Sequence, residues 1–223
     1  MKKYLKYAIG EIFLVVIGIL VAVSLNNWNE ERKSKKRLNT IFEMVKSDFI
    51  QDTIITNRAI LYYEKQDSLI NILVSDTFNL EVLKKNPEIT KIPFSNFPFK
   101  MTSTSIDLLR EERSNTAVAQ DTIVKILLGF YDTYNTNFQD IDQKLKADVA
   151  NNTAYLKTFD NKALEKFLEK RVDEDYNYFL SKDFKNRAIL HRQLTVNLYT
   201  ASMKKFNQSV YNVIPYIDER IKK

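Results

Sequence analysis

Apolar and polar positions follow two different registers along this chain. From Ile12 to Leu25 the residues are continuously uncharged. Extending back to Tyr7 adds one charged group, Glu11. As a helix this stretch measures about 28 Å, close to the thickness of a hydrocarbon core. Beyond it the pattern becomes a stripe. Leu38, Phe42, Val45 and Phe49 recur at spacings of three and four, and Thr56, Ala59, Tyr63, Ile70 and Leu73 continue it. No glycine or proline falls between Asn26 and Asn86. The spacing predicts one long helix over 29–75, with the apolar run leading into it directly or bending at Asn26-Asn27.

Residues 76–103 break the pattern. Pro87, Pro93 and Pro98 alternate with Phe94, Phe97 and Phe99, so a continuous helix is forbidden while the phenylalanines call for packing on the body. A short helix is predicted at Thr104–Arg113, with Thr104 and Asp107 in capping positions. The next helix, over Asp121–Val149, carries Ile123, Leu127, Phe130, Tyr134, Phe138, Ile141, Leu145 and Val149 on one face, and Asn151-Asn152 is expected to loosen it. A further short helix is predicted over Lys162–Val172, leading to Asp173-Glu174-Asp175.

The last helix, Asp183–Lys222, carries a heptad seam. Ile189, Val196, Met203, Val210 and Ile217 recur every seventh residue, with Tyr199, Phe206 and Val213 between them. The seam either packs inside its own chain or zips, as a coiled coil, to another copy or a partner. Pro215 lies within it and is expected to kink or end the helix near Tyr211. These stripes cannot be buried separately. The fold expected is all-α: an N-terminal tail and transmembrane helix in residues 1–28, then an antiparallel bundle of three or four long amphipathic helices in 29–223.

Composition supports helices. The chain has only three glycines and four prolines in 223 residues, too few for a turn-rich β fold or a glycine-rich nucleotide loop. It has no cysteine, which excludes disulfides, thiolate metal sites and a lipid-modified cysteine. The net charge of +6 invites a nucleic-acid reading, but its distribution opposes one. Residues 1–40 hold eight basic and three acidic side chains; the remainder holds 26 basic and 25 acidic. The body is neutral, and the basic excess flanks the apolar run, as suits anionic headgroups.

Tyr4 and Tyr7 at one end of that run and Trp28 at the other match an aromatic belt. A cleavable export signal competes with this reading, because Ala22-Val23-Ser24 fits the small-x-small cleavage rule. Basic residues on both flanks leave the positive-inside rule undecided. The expectation is a single-pass inner-membrane protein with a periplasmic body.

Glu11 is an ionisable group inside a span, a functional hypothesis by default. It either carries protons, pairs across helices, or reaches the headgroups from its position one turn inside Tyr7. Glu11, Val15, Gly18, Ala22 and Leu25 share one helix face, and Gly18 with Ala22 forms a small-x-x-x-small pair suited to helix contact. These residues and Trp28 are the candidate anchor and pairing positions. No metal site, cofactor loop or catalytic triad is legible. The single histidine, His191, is expected to be a packed or surface residue. Asp52-Thr53-Ile54, Asp67-Ser68-Leu69 and Asp121-Thr122-Ile123 resemble Asp-Ser/Thr-aliphatic O-glycosylation sites of Bacteroidota.

The stretch KYAIGEIFLVVIGILVAVSLNNWNEERK (Lys6–Lys33) closely resembles the opening of a family of uncharacterised membrane proteins common in Bacteroidota, a domain of unknown function. TSTSIDLLREERSN (Thr102–Asn115) and DTIVKILLGFYDTY (Asp121–Tyr134) are similar to its middle region, with Arg-Glu-Glu-Arg standing where Ser and Gly are expected. The resemblance implies an N-terminal span and a helical body, and supplies no activity. The function expected is therefore a non-catalytic, membrane-anchored scaffold or protein-interaction component, binding a protein partner or itself and no nucleic acid. The alternatives are an ion-coupled membrane machine with Glu11 as its titrating group, and a ligand-sensing bundle with a pocket near Phe94–Phe99.

Overall fold

The computed structural model describes residues 2–158 and 177–222, with side chains placed from Gly10 onward except at Ala117 and Asn177. The helix expected at Lys162–Val172 and the acidic Asp173-Glu174-Asp175 lie outside the described residues. Among the described residues the fold is all-α. The elements are α1 (Lys2–Leu73), α2 (Leu80–Lys85), a 3-10 helix (Pro87–Phe94), α3 (Thr104–Glu112), α4 (Thr116–Gln120) and α5 (Thr122–Leu156). After the gap come a 3-10 turn (Asn177–Leu180), α6 (Lys182–Arg192), a π-helix (Gln193–Thr200) and α7 (Ala201–Lys222).

Helix α1 runs through Asn26-Asn27 without a break. Its 72 residues make it about 108 Å long. Nothing in it opposes continuation until Val74-Ser75, where Ser75 Oγ donates to Ile72 O at 2.8 Å and the turn tightens. Asn79 then caps α2 by accepting from Val82 N at 3.1 Å, and Pro87 opens the 3-10 helix, where its missing N–H is harmless.

Three long helices form the bundle. Asn39 reaches Ile221 O at 3.2 Å, Thr56 Oγ1 reaches Asn207 Oδ1 at 2.6 Å, and Arg192 Nε lies 2.6 Å from Asp67 Oδ1. Rising numbers on α1 thus meet falling numbers on α7 and α6, so these helices are antiparallel. The same holds for α5: Asp121 pairs with Arg220 at 2.9 Å, Tyr134 with Ser209 at 2.7 Å and Asp148 with His191 at 2.7 Å. Helices α1 and α5 are therefore parallel, a departure from the antiparallel bundle expected: residues 74–121 form a crossover long enough to carry the chain back to the starting end before α5 begins.

The main core joins α1, α3, α5 and α7, and a smaller cluster (Ile70, Leu73, Leu83, Ile89, Ile92, Phe179, Phe184, Ala188) closes the far end. Phe206 is the centre of an aromatic group. Its ring lies 5.3 Å from Tyr134, 5.6 Å from Phe138 and 5.9 Å from Phe130, mostly edge-on or tilted.

Three expectations are corrected. Of the kink or end expected at Pro215, the end does not occur: α7 continues to Lys222. Asn151-Asn152 does not loosen α5, because Asn152 is buried, donates to Pro93 O at 2.8 Å and accepts from Arg187 at 3.0 Å. Thr104 and Asp107 do not cap α3. One carboxylate of α1 does this instead: Asp48 Oδ2 accepts from Ser105 N at 3.4 Å and from Ser105 Oγ at 2.6 Å, while Asp52 holds Thr102 ahead of the helix, accepting from its N and Oγ1 at 3.1 and 3.0 Å.

Candidate functional site

The extended segment between the 3-10 helix and α3 has no sheet to pair with, so its backbone groups need other partners. Tyr63 Oη accepts from Phe97 N at 2.9 Å, Tyr199 Oη donates to Phe99 O at 3.5 Å, and Asp52 takes Thr102. Tyr62 and Gln66 hold Ser95 Oγ at 3.0 and 3.2 Å. The segment is a strap sewn to α1, and by Tyr199 to the π-helix, by polar tips on otherwise apolar stripes. Burial lifts Asp52 from 3.8 to about 6, against the two bonds from Thr102, with Asp48 adding to the rise. Burial also holds the Tyr63 and Tyr199 phenols above their usual range, so both stay hydroxyls. Sequence reasoning missed Asp52 in this role; the only signal was an acid standing on an apolar stripe. The carboxylates of all three Asp-Ser/Thr-aliphatic tripeptides are engaged inside the chain: Asp52 with Thr102, Asp67 with Arg192, and Asp121 with Arg220 and Ile123 N.

The C-terminal seam packs within its own chain. Tyr199, Met203, Phe206, Val210, Val213 and Ile217 are buried, Val196 is half-buried and Ile189 is exposed. The π-helix explains the failure at the N-terminal end. Its i→i+5 spacing takes up about one extra residue. Positions that meet the core before it are thus one residue earlier than the heptad predicts: Thr195 replaces Val196, Ala188 replaces Ile189. The same slip brings His191 inward. His191 is fully buried, and its Nδ1 lies 2.7 Å from Asp148 Oδ2. Arg187, stacked over Tyr155 at 4.1 Å, bonds Asp183, Asn151 and Asn152 beside it. An Asp–His pair is the orienting half of a catalytic triad, but no serine, threonine or cysteine is recorded in hydrogen bond to His191 Nε2 among the described residues. No group of three or more His, Cys, Asp or Glu suited to a metal occurs among the described residues.

A cleft of about 340 Å³ lies where the strap meets α5, lined by Pro98, Phe99, Met101 and Phe138 with Asp142 and Lys146 at its edge. It uses the end of the phenylalanine-rich segment, as the sequence suggested, and not Phe94 or Phe97.

The anchor positions stand apart from all of this. Val15 and Trp28 are 57% and 60% exposed, and a Cβ added at Gly18 would meet nothing within 4 Å. Glu11 has no ion pair among the described residues. The helix is long and apolar enough to cross a membrane, and the chain buries none of its apolar window. Large apolar side chains from Ile12 to Leu25 are all between 40% and 70% exposed. Leaving them in water forgoes on the order of 20 kcal/mol, more than the whole stability of a typical domain. The first core residue of α1 is Leu38; between them runs a basic tract in which Arg32 stacks on Trp28 at 5.4 Å. The structure brings Glu11, Val15, Gly18 and Ala22 into no contact with the seam.

No curated protein and no solved structure matches this chain. A family model does, over residues 11–179, from Glu11 in the anchor to Phe179 in the far-end core. The chain belongs to the family of unknown function DUF6090.

Proposed function

We propose that this is a single-pass membrane protein whose helical bundle serves as a protein-interaction or scaffold module, without catalytic activity. The carrying observation is the uncovered apolar run Ile12–Leu25, continuous through α1 with the bundle core. Extended back to Tyr7 the run measures about 28 Å, close to the thickness of a hydrocarbon core, so a bilayer is the cover it fits. The unbroken helix through Ala22-Val23-Ser24 supports an anchor that is retained. The neutral body, with 26 basic and 25 acidic side chains beyond residue 40, supports a binding role. The inner membrane and a periplasmic body remain the preferred placement.

The test is affinity purification of the tagged full-length protein from native membranes in mild detergent, after alkaline carbonate washing. Retention in the washed membranes, with a stoichiometric partner or a second copy in the purified particle, is expected. A lone monomer would sink the interaction role, and release by carbonate would sink the anchor.

A ligand-sensing role draws support from the cleft at Phe99 and Phe138. It requires a small molecule that raises the melting temperature of the wild type and leaves a Phe138→Ala variant unmoved. Participation of Glu11 in an ion-coupled machine requires that Glu11→Gln alter the purified assembly or its proton dependence.

A further inference from the structure

The antiparallel return of α7 ends the chain beside the membrane-proximal part of α1. Asn39 Nδ2 donates to Ile221 O at 3.2 Å there, and the two helices enclose a shallow groove of about 410 Å³. Its lining is Arg32, Lys35, Lys36, Asn39, Thr40 and Glu43 of α1, with Ile221 of α7. Three of these seven are basic and one is acidic. Glu43 stands at the far end, next to Lys46, about 16 Å along the helix from Arg32.

We infer that this groove binds the headgroup of an anionic phospholipid. The inference rests on the reading of Ile12–Leu25 as a span. Depth is the first argument. With Trp28 at the interface, Arg32 lies about 6 Å and Lys36 about 12 Å further out. Side chains on an α-helix tilt toward its N-terminus, which on α1 is the bilayer side, so these long cations lean back into the headgroup layer. Charge is the second argument. The neighbouring cations outside the groove are already engaged, Lys33 with Glu30 at 3.0 Å and Arg37 with Glu112 at 2.7 Å. Arg32 and Lys36 have no acidic partner among the described residues. Shape is the third. Exposed Thr40 offers a hydroxyl oxygen that accepts, its own proton being held by Lys36 O at 3.1 Å. Ile221 supplies an apolar wall for the glycerol backbone of the lipid.

The test places the full-length protein in nanodiscs of equal phosphatidylglycerol and phosphatidylcholine and reads retained lipid by native mass spectrometry. Phosphatidylglycerol adducts are expected to dominate. Arg32→Ala combined with Lys36→Ala should lower them by about fivefold per charge removed, whereas Lys33→Ala with Arg37→Ala, equal in charge and depth, should lower them far less. Equal losses in the two double variants would overturn the groove in favour of diffuse surface charge. Displacement of the adducts by inorganic phosphate alone would overturn the lipid as the ligand. Failure of the protein to enter the disc overturns the proposal through its premise, and is told apart from loss of lipid preference because no protein-loaded disc is then seen.

Discussion

His191 Nδ1 sits 2.7 Å from Asp148 Oδ2, while His191 Nε2 is buried without a hydrogen-bond partner among the described residues. The pair crosses from α6 to α5 and seats the far end of the bundle. Removing Asp148 would leave a second buried imidazole nitrogen unpartnered. Asp148→Ala should therefore destabilise the protein by about 1–3 kcal/mol in urea unfolding. His191→Leu, which removes the polar ring altogether, should cost less, and a larger loss in His191→Leu would show that the ring does more than satisfy Asp148.

Asp52 predicts a pH dependence. Its folded value, about 6, lies above the 3.8 of the free side chain. The folded state binds the proton more tightly, so the stability that Asp52 contributes is complete below 3.8 and is lost as pH rises through 6. A two-unit shift corresponds to about 3 kcal/mol. Thermal melts should show stability falling across this window in the wild type. In Asp52→Asn the fall should flatten, since the amide oxygen still accepts from Thr102 N and the Thr102 hydroxyl can turn to accept. An unchanged pH profile in the variant would assign the dependence to other groups.

The π-helix can be tested by deletion. Removing exposed Asn197 should let Gln193–Thr200 close as ordinary α-helix while both flanks keep their buried faces. The variant should fold with native helicity. Removing exposed Asn212, inside α7, should instead rotate Val213 and Ile217 away from the core and abolish cooperative unfolding. Equal damage from both deletions would reject the register account.

Phe206 packs among aromatic rings of α5. Its ring touches those of Phe130, Tyr134 and Phe138, and Phe206 is fully buried. Phe206→Ala should cost about 3–5 kcal/mol. Tyr211→Ala, on the same helix but 75% exposed, should stay within about 0.5 kcal/mol. The contrast is measured by chemical denaturation of the two variants side by side.

Much of the bundle was legible because periodicity is local. The stripe from Leu38 to Leu73 and the face from Ile123 to Leu145 needed only the 3.6-residue repeat, and both helices lie where the pattern puts them. Thr104–Arg113 was placed within a residue, yet its capping was misread. The cap comes from Asp48, 57 residues before Ser105, and no neighbouring residue signals it. The heptad reading of the last helix was right for Met203–Ile217 and wrong at Ile189 for a comparable reason. A π segment is stabilised by what it packs against, so sequence spacing alone continues the α register through it.

The uncharged run, its basic flank and the helical character of the body follow from composition and repeat alone. Packing of the helices was needed to show that the run is uncovered, that Pro215 and Asn152 do not interrupt their helices, and that His191 meets Asp148. It also decided that Ile221 closes a basic groove on Arg32 and Lys36. Each of these depends on which helix lies beside which, and antiparallel return over nearly two hundred residues is set by the sum of core contacts, not by any local motif.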